Sequence, residues 1–224
     1  MPKTKKFIVV NGKQYLLKKS KYAINESPLH VSDDMSGKMQ GIPSVSTSCL
    51  VNPICKARMK QGDSICAHCF AETTLRRYTA CGKAMESNFH LLNDSVLPLD
   101  LLPIFANVAI VRIESFGDVA SVTQAINYAN LCKVNPNVMF AWWSKNMNII
   151  KTAFDKVGKP SNVIMVESAP MLDTEIEPSN EYVDKTFTVY THDHGQINCG
   201  KRSCLGCRGC YRWDTEKSRK ELLK

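Results

Sequence analysis

No run of about 18 apolar residues occurs anywhere in this chain, so it contains no candidate transmembrane helix. The stretch MPKTKKFIVVNGKQYLLKK carries charge but no apolar h-region and no small-residue cleavage site, so it does not read as a signal peptide. Also missing are a Gly-rich phosphate loop, an H-E-x-x-H helix and a nucleophile elbow, and with them the NTPase, zinc-protease and α/β-hydrolase readings. Acids are absent from residues 1–22, which hold seven lysines. These absences lead us to expect a cytoplasmic protein that does not engage a membrane.

Cysteine, by contrast, is plentiful: ten among 224 residues. Without an export signal a disulfide framework is a poor reading, because cytosolic thiols stay reduced. Eight of the ten fall into two groups, which points to metal or iron–sulfur ligation. The first group, Cys49, Cys55, Cys66 and Cys69, lies in GIPSVSTSCLVNPICKARMKQGDSICAHCFA. A two-residue gap lets one turn aim two thiolates at a single centre, and a longer loop can bring in the others. The second group, Cys199, Cys204, Cys207 and Cys210, has two successive two-residue gaps, as in ferredoxin-type ligation. Four thiolates closing on zinc is the alternative for either group. Cys81 falls on an apolar helical stripe and reads as a core thiol.

The net charge of +8 is unevenly placed. Residues 201–224 hold eight basic and three acidic side chains, and the body between the two basic ends has a balance of −4. Such ends could hold nucleic acid through its phosphates, or could simply be solvated.

Residues 7–19 read as a β-hairpin turning at Asn11-Gly12. Polar loop follows to residue 41, then a short strand from Ile42 that opens into the cysteine loop. Leu75, Tyr78, Cys81, Met85, Phe89 and Leu92 recur at helical steps, predicting one helix from Phe70 to about Leu92. Further strands are expected at 108–113, 138–143, 163–166 and 187–190, with helices over 120–132 and 147–157. This alternation demands a parallel sheet with right-handed crossovers, open or curled into a barrel. In such folds ligands bind at the carboxyl rim of the strands, where the cysteine loop also opens. We divide the chain into a hairpin and loop (1–40), an α/β core (41–195) and a cysteine-rich basic tail (196–224).

Taken together, NPIC with CAHCFA, VRIESFGDV, NPNVMFAWWSKN, GKPSNVIMVESAP, VDKTFTVY and the closing C-x4-C-x2-C-x2-CY resemble the phage "gene product 88" family over roughly residues 41–211. That resemblance implies a phage-encoded protein of an infected host's cytoplasm, and names no reaction. A wider similarity is to radical S-adenosylmethionine enzymes, which implies a partial (β/α) barrel. It also implies a four-iron, four-sulfur cluster on Cys55, Cys66 and Cys69, with Cys49 as a further candidate ligand. The gap between Cys55 and Cys66 is ten residues, against three in that family's usual C-x3-C-x2-C. Lengthening a loop adds closure cost only logarithmically, about 0.6 kcal/mol per doubling.

On the same resemblance, Phe70 takes the place of an aromatic that follows the last ligand. Gly117 and Asp118 stand where the methionine amino group is bound, and Ser144, Lys145 and Asn146 where its carboxylate or the ribose is met. The tail cysteines would hold a second, auxiliary cluster. The implied activity is generation of a 5′-deoxyadenosyl radical that abstracts hydrogen, fed by an external electron donor. The sequence assigns no further catalytic residue, and nucleic acid or a nucleotide is the first substrate class to try. Two other readings stay open: a zinc-stabilised nucleic-acid-binding protein without redox chemistry, and a degenerate barrel that keeps its clusters only for structure or electron transfer. His192, His194, Trp142, Trp143, Glu167 and Ser168 are weaker candidates for contact with a ligand.

Overall fold

A computed structural model describes residues 5–200 and 203–223. Phe7–Val10 (β1) and Lys13–Leu16 (β2) form the expected antiparallel hairpin. Asn11 and Gly12 take φ of 50° and 74°, the pair of left-handed conformations that a type I′ turn requires. Tyr15 buries its ring in the main core, with Ile8 and Val10 packed beside it.

The remaining strands make one six-stranded sheet. Ser44–Val45 (β3), Ile110–Ile113 (β4), Met139–Ser144 (β5), Val163–Ser168 (β6), Lys185–Tyr190 (β7) and Ser218–Leu222 (β8) lie side by side in chain order. Every neighbouring pair is parallel. The helices are Pro53–Arg58 (α1), Phe70–Arg77 (α2), Thr79–Asp94 (α3), Val122–Lys133 (α4), Met147–Val157 (α5) and the single turn Cys204–Cys207 (α6). None of those described is long and apolar enough to cross a membrane.

Alternation along the strands gives the sheet two faces. Val111, Ile113, Phe140, Trp142, Val163 and Met165 point toward α4 and α5 and form the main core. Trp142 is fully buried there, edge-on to Tyr128 and Phe154 at 5.3 and 5.7 Å between ring centroids. Each such large side chain contributes about 1.5–3 kcal/mol by leaving water. The opposite face is also apolar: Ile42, Ile110, Ala141, Trp143, Ile164 and Val166 are covered by Tyr211, with Cys204 and Cys210 alongside. The two adjacent tryptophans thus serve different faces, as strand geometry predicts.

Three elements differ from the sequence reading. The helix expected over 70–92 is two, broken at Tyr78. Gly82 explains the break: a Cβ there would sit 2.8 Å from the carbonyl oxygen of Leu75, so α3 approaches the end of α2 closer than any side chain permits. Helix α1 forms within the cysteine loop, started by Asn52, whose side chain accepts from the backbone N–H of Ile54, and by Pro53 at its first position. The segment read as a tail returns to the sheet as β8, paired along its length with β7.

Buried charge fixes that return. Lys185 is 1% exposed and donates to Asp214 Oδ1 at 2.5 Å and to the Glu216 carbonyl at 2.9 Å. Arg219, 4% exposed, reaches Asp214 Oδ2, the Gly209 carbonyl and Glu216. Burial raises the Asp214 pKa, but hydrogen bonds from Lys185 and Arg212 outweigh it and hold the carboxyl down at about 2.

Candidate functional site

The front cysteines sit where β3 leaves the sheet. Ser48 and Asn52 turn the chain into α1, which carries Cys55; a 3-10 turn capped by Ser64 carries Cys66; Cys69 caps α2. All four sulfurs line a cavity of about 160 Å³ that the carboxyl ends of β4, β5 and β6 also line, through Glu114–Asp118, Ser144, Lys145 and Ser168. The loop and the strand ends therefore share one mouth, as the topology predicts.

The thiols differ in character. The Cys69 sulfur takes a hydrogen bond from Cys49 and, despite burial, others from the backbone N–H groups of Glu72 and Ala71, which holds it down at about 6. A helix N-terminus favours thiolate in this way. Its partner Cys49 is pushed up by that hydrogen bond and by burial. Burial also pushes Cys55 up, helped by the charges of Asp118 and Glu114. Among the described residues, no three His, Cys, Asp or Glu side chains are gathered closely enough to ligate one ion. In donor chemistry the four cysteines suit a thiolate-ligated group, because soft sulfur donors select zinc or iron–sulfur centres and the cations Arg58, Arg112 and Lys145 line the same cavity.

Asp118 is 5% exposed and works inside the protein. Its Oδ1 accepts from Ser144 Oγ at 2.5 Å and from the Val119 N–H at 2.8 Å. Its Oδ2 accepts from the Lys145 N–H at 3.0 Å and from Arg58 at 3.4 Å. Ser144 in turn accepts from the Asn146 N–H, and the Asn146 amide donates to the Val119 carbonyl. Asp118, Ser144, Lys145 and Asn146 are thus brought together as a clamp between the ends of β4 and β5, bonded to one another and to the backbone. Gly117 lies so close to Thr47 that a Cβ would meet its Oγ1 at 2.6 Å and its carbonyl oxygen at 2.7 Å. Phe70 is 67% exposed at the mouth, its ring 6.3 Å from that of Phe116.

Sequence reasoning passed over two residues. Glu114 ends β4 at φ 58°, a left-handed conformation rare outside glycine, which turns its carboxylate toward α4. There it accepts from the Thr47 N–H and hydroxyl, Gln124 and Tyr128 at 2.7–3.0 Å. Burial raises its pKa to about 7 against those donors. Arg112 stands on the other face, its guanidinium 3.2 Å from the Trp143 ring centroid. A cation inside the apolar run VAIVRI was the available signal.

The second group lies beneath the same sheet face. Cys199, Cys204, Cys207 and Cys210 are mutual electrostatic neighbours, with Lys38 and Arg112 close by. Burial raises the first two and pushes Cys210 up to about 12. The weaker candidates scatter. His192 and His194 are exposed in a turn beyond β7, Glu167 accepts from the Ser179 N–H, and only Ser168 and Trp143 reach the cavity. The basic ends are partly neutralised: Lys6, Lys13 and Lys21 pair with Glu26, Asp94 and Asp34, and Lys220 with Glu175. Lys3, Lys201, Arg202 and Lys224, which contribute to the expected polyanion grip, lie outside the described residues.

Comparison with curated proteins and with solved structures finds no match. The family described as Gene product 88 matches residues 13–209, taking in nine of the ten cysteines and both walls of the cavity. With most of its length inside that match, the chain belongs to the Gene product 88 family of phage proteins.

Proposed function

We propose that this protein is an iron–sulfur enzyme of the radical S-adenosylmethionine type, built on a partial (β/α) barrel. The observation that carries the reading is the shared cavity: Cys49, Cys55, Cys66 and Cys69 line one wall and the carboxyl ends of three parallel strands the other. Strands adjacent in chain order, with α4 and α5 on one face, are the arrangement a curling sheet uses. Cys55, Cys66 and Cys69 would hold a four-iron cluster, and the tail cysteines a second metal group. When bound and reduced, such a cluster supplies one electron to a sulfonium, giving methionine and a 5′-deoxyadenosyl radical.

The chain's own residues orient and enclose. The Asp118 clamp fixes the rim between β4 and β5, and the Phe70–Phe116 pair shields the mouth from water. A ligand amine reaching for Asp118 has to displace its weakest donor, Arg58 at 3.4 Å, because the other three acceptor directions are filled by short bonds.

Anaerobic purification followed by iron, sulfide and zinc analysis tests the reading. Brown protein with iron and sulfide, depleted in Cys66→Ser and Cys69→Ser, is the expected result. Colourless protein with stoichiometric zinc overturns it and leaves a zinc-stabilised phage protein. Iron-loaded protein that gives no calorimetric heat with S-adenosylmethionine is a cluster-binding barrel without this chemistry.

A further inference from the structure

Two cations of the front cavity, Arg112 and Lys145, have no carboxylate partner among the described residues. The two acids on the cavity wall do not serve them. Glu114 is filled by Thr47, Gln124 and Tyr128. Asp118 spends its oxygens on Ser144, two backbone N–H groups and Arg58. Arg112 rests on the Trp143 ring and meets the Tyr211 hydroxyl, yet its Nε is buried with no acceptor among the described residues. A buried donor left unpaired costs about 1–3 kcal/mol, so such an atom is commonly completed by a ligand. The Lys145 side chain is half-buried and lines the same cavity as Arg112. A planar guanidinium held flat by an aromatic ring, with an ammonium across the same pocket, is suited to a bidentate oxyanion.

We propose that Arg112 and Lys145 form an oxyanion subsite in the thiol-lined cavity, and that the substrate carries a phosphate or carboxylate which docks there. The inference rests on the proposed function for the identity of the pocket and adds the chemical class of what enters it. Arg112 supplies the directed fork and Trp143 keeps it in plane; Lys145 supplies a second charge. The anion takes the Arg112 guanidinium as its partner, while Asp118 and Glu114 remain in their own networks.

The test uses the whole 224-residue chain, both iron-free and after anaerobic reconstitution with iron and sulfide. Inorganic phosphate and acetate are titrated separately, and binding is read by calorimetry and by tryptophan emission. Saturable binding of either anion is expected, with a change in emission that Trp143→Phe abolishes while the heat persists. Arg112→Gln weakens binding by about tenfold or more, the loss of hydrogen bonds to a charged group. Lys145→Gln, which alters a side chain outside the core, weakens it severalfold and guards against a folding defect in Arg112→Gln. Arg112→Lys restores charge but not the fork and falls between. Preference for phosphate or for acetate identifies the group carried by the substrate. No binding of either anion, or unchanged affinity in both Arg112→Gln and Lys145→Gln, overturns the proposal. Phosphate binding by protein that never takes up iron leaves this subsite standing and removes the radical reading; iron uptake without anion binding does the reverse.

Discussion

Replacing Asp118 by alanine separates a clamp from a ligand-binding acid. The carboxylate is 5% exposed and holds three short hydrogen bonds and one long one, drawn from the end of β5, from Val119 and from α1. Truncation leaves the Ser144 hydroxyl and the Val119 and Lys145 N–H groups unpaired and removes the partner of Arg58. Removing one member of a buried, hydrogen-bonded charge pair costs about 3–5 kcal/mol. The summed loss should stay near that range, because the orphaned donors share one pocket and do not add independently. In a chain of this size each kcal/mol moves the melting temperature by about 2–4 °C, so a fall of roughly 10 °C is expected. Asp118→Asn keeps the shape but converts one acceptor oxygen to a donor facing N–H or O–H groups, and should lose about 1–3 kcal/mol. Urea unfolding of the iron-free protein measures both, with an unchanged slope confirming that folded and unfolded states are comparable. Wild-type stability in Asp118→Ala would refute the clamp and return this carboxylate to the role of a free ligand for an amine.

Three further outcomes follow from the geometry. Gly117→Ala drives a methyl group into the Thr47 carbonyl, an immovable backbone atom, and should cost about 1–3 kcal/mol in thermal unfolding. Asp214, at about 2 when folded against an ordinary 3.8, contributes stability that is complete above 3.8 and lost as pH falls through 2. After allowance for its partial exposure, that contribution is about 1–2 kcal/mol, and acid titrations should show it reduced in Lys185→Met. Cys207→Ser should lower the metal content of the tail group while leaving the front group's share intact, as measured by metal analysis beside Cys66→Ser.

The hairpin was legible because Asn11-Gly12 has one good conformational use, and α5 because its apolar stripe ends at Gly158, which takes φ 76°. Strand β8 was not. Its sequence SRKEL has neither alternation nor β-branched residues, and only pairing with β7 and the burial of Arg219 make it a strand. The signal for α1 was present in Asn52-Pro53 but was masked by the metal-ligand spacing on either side. At the site, spacing brought four thiols and the Gly117–Asp118 turn to one rim. It could not show that Asp118 faces inward to Ser144, because hydrogen-bond saturation depends on which chain segments meet across strands β4 and β5. Nor could it single out Glu114, whose side chain leaves the alternation only because its backbone adopts a left-handed turn.

Tyr211 and the neighbouring Cys204 and Cys210 close off the apolar side of the sheet below Trp143. Trp143 belongs both to that covered face and to the lining of the front cavity, so two cysteine groups far apart in the chain share one indole as a neighbour.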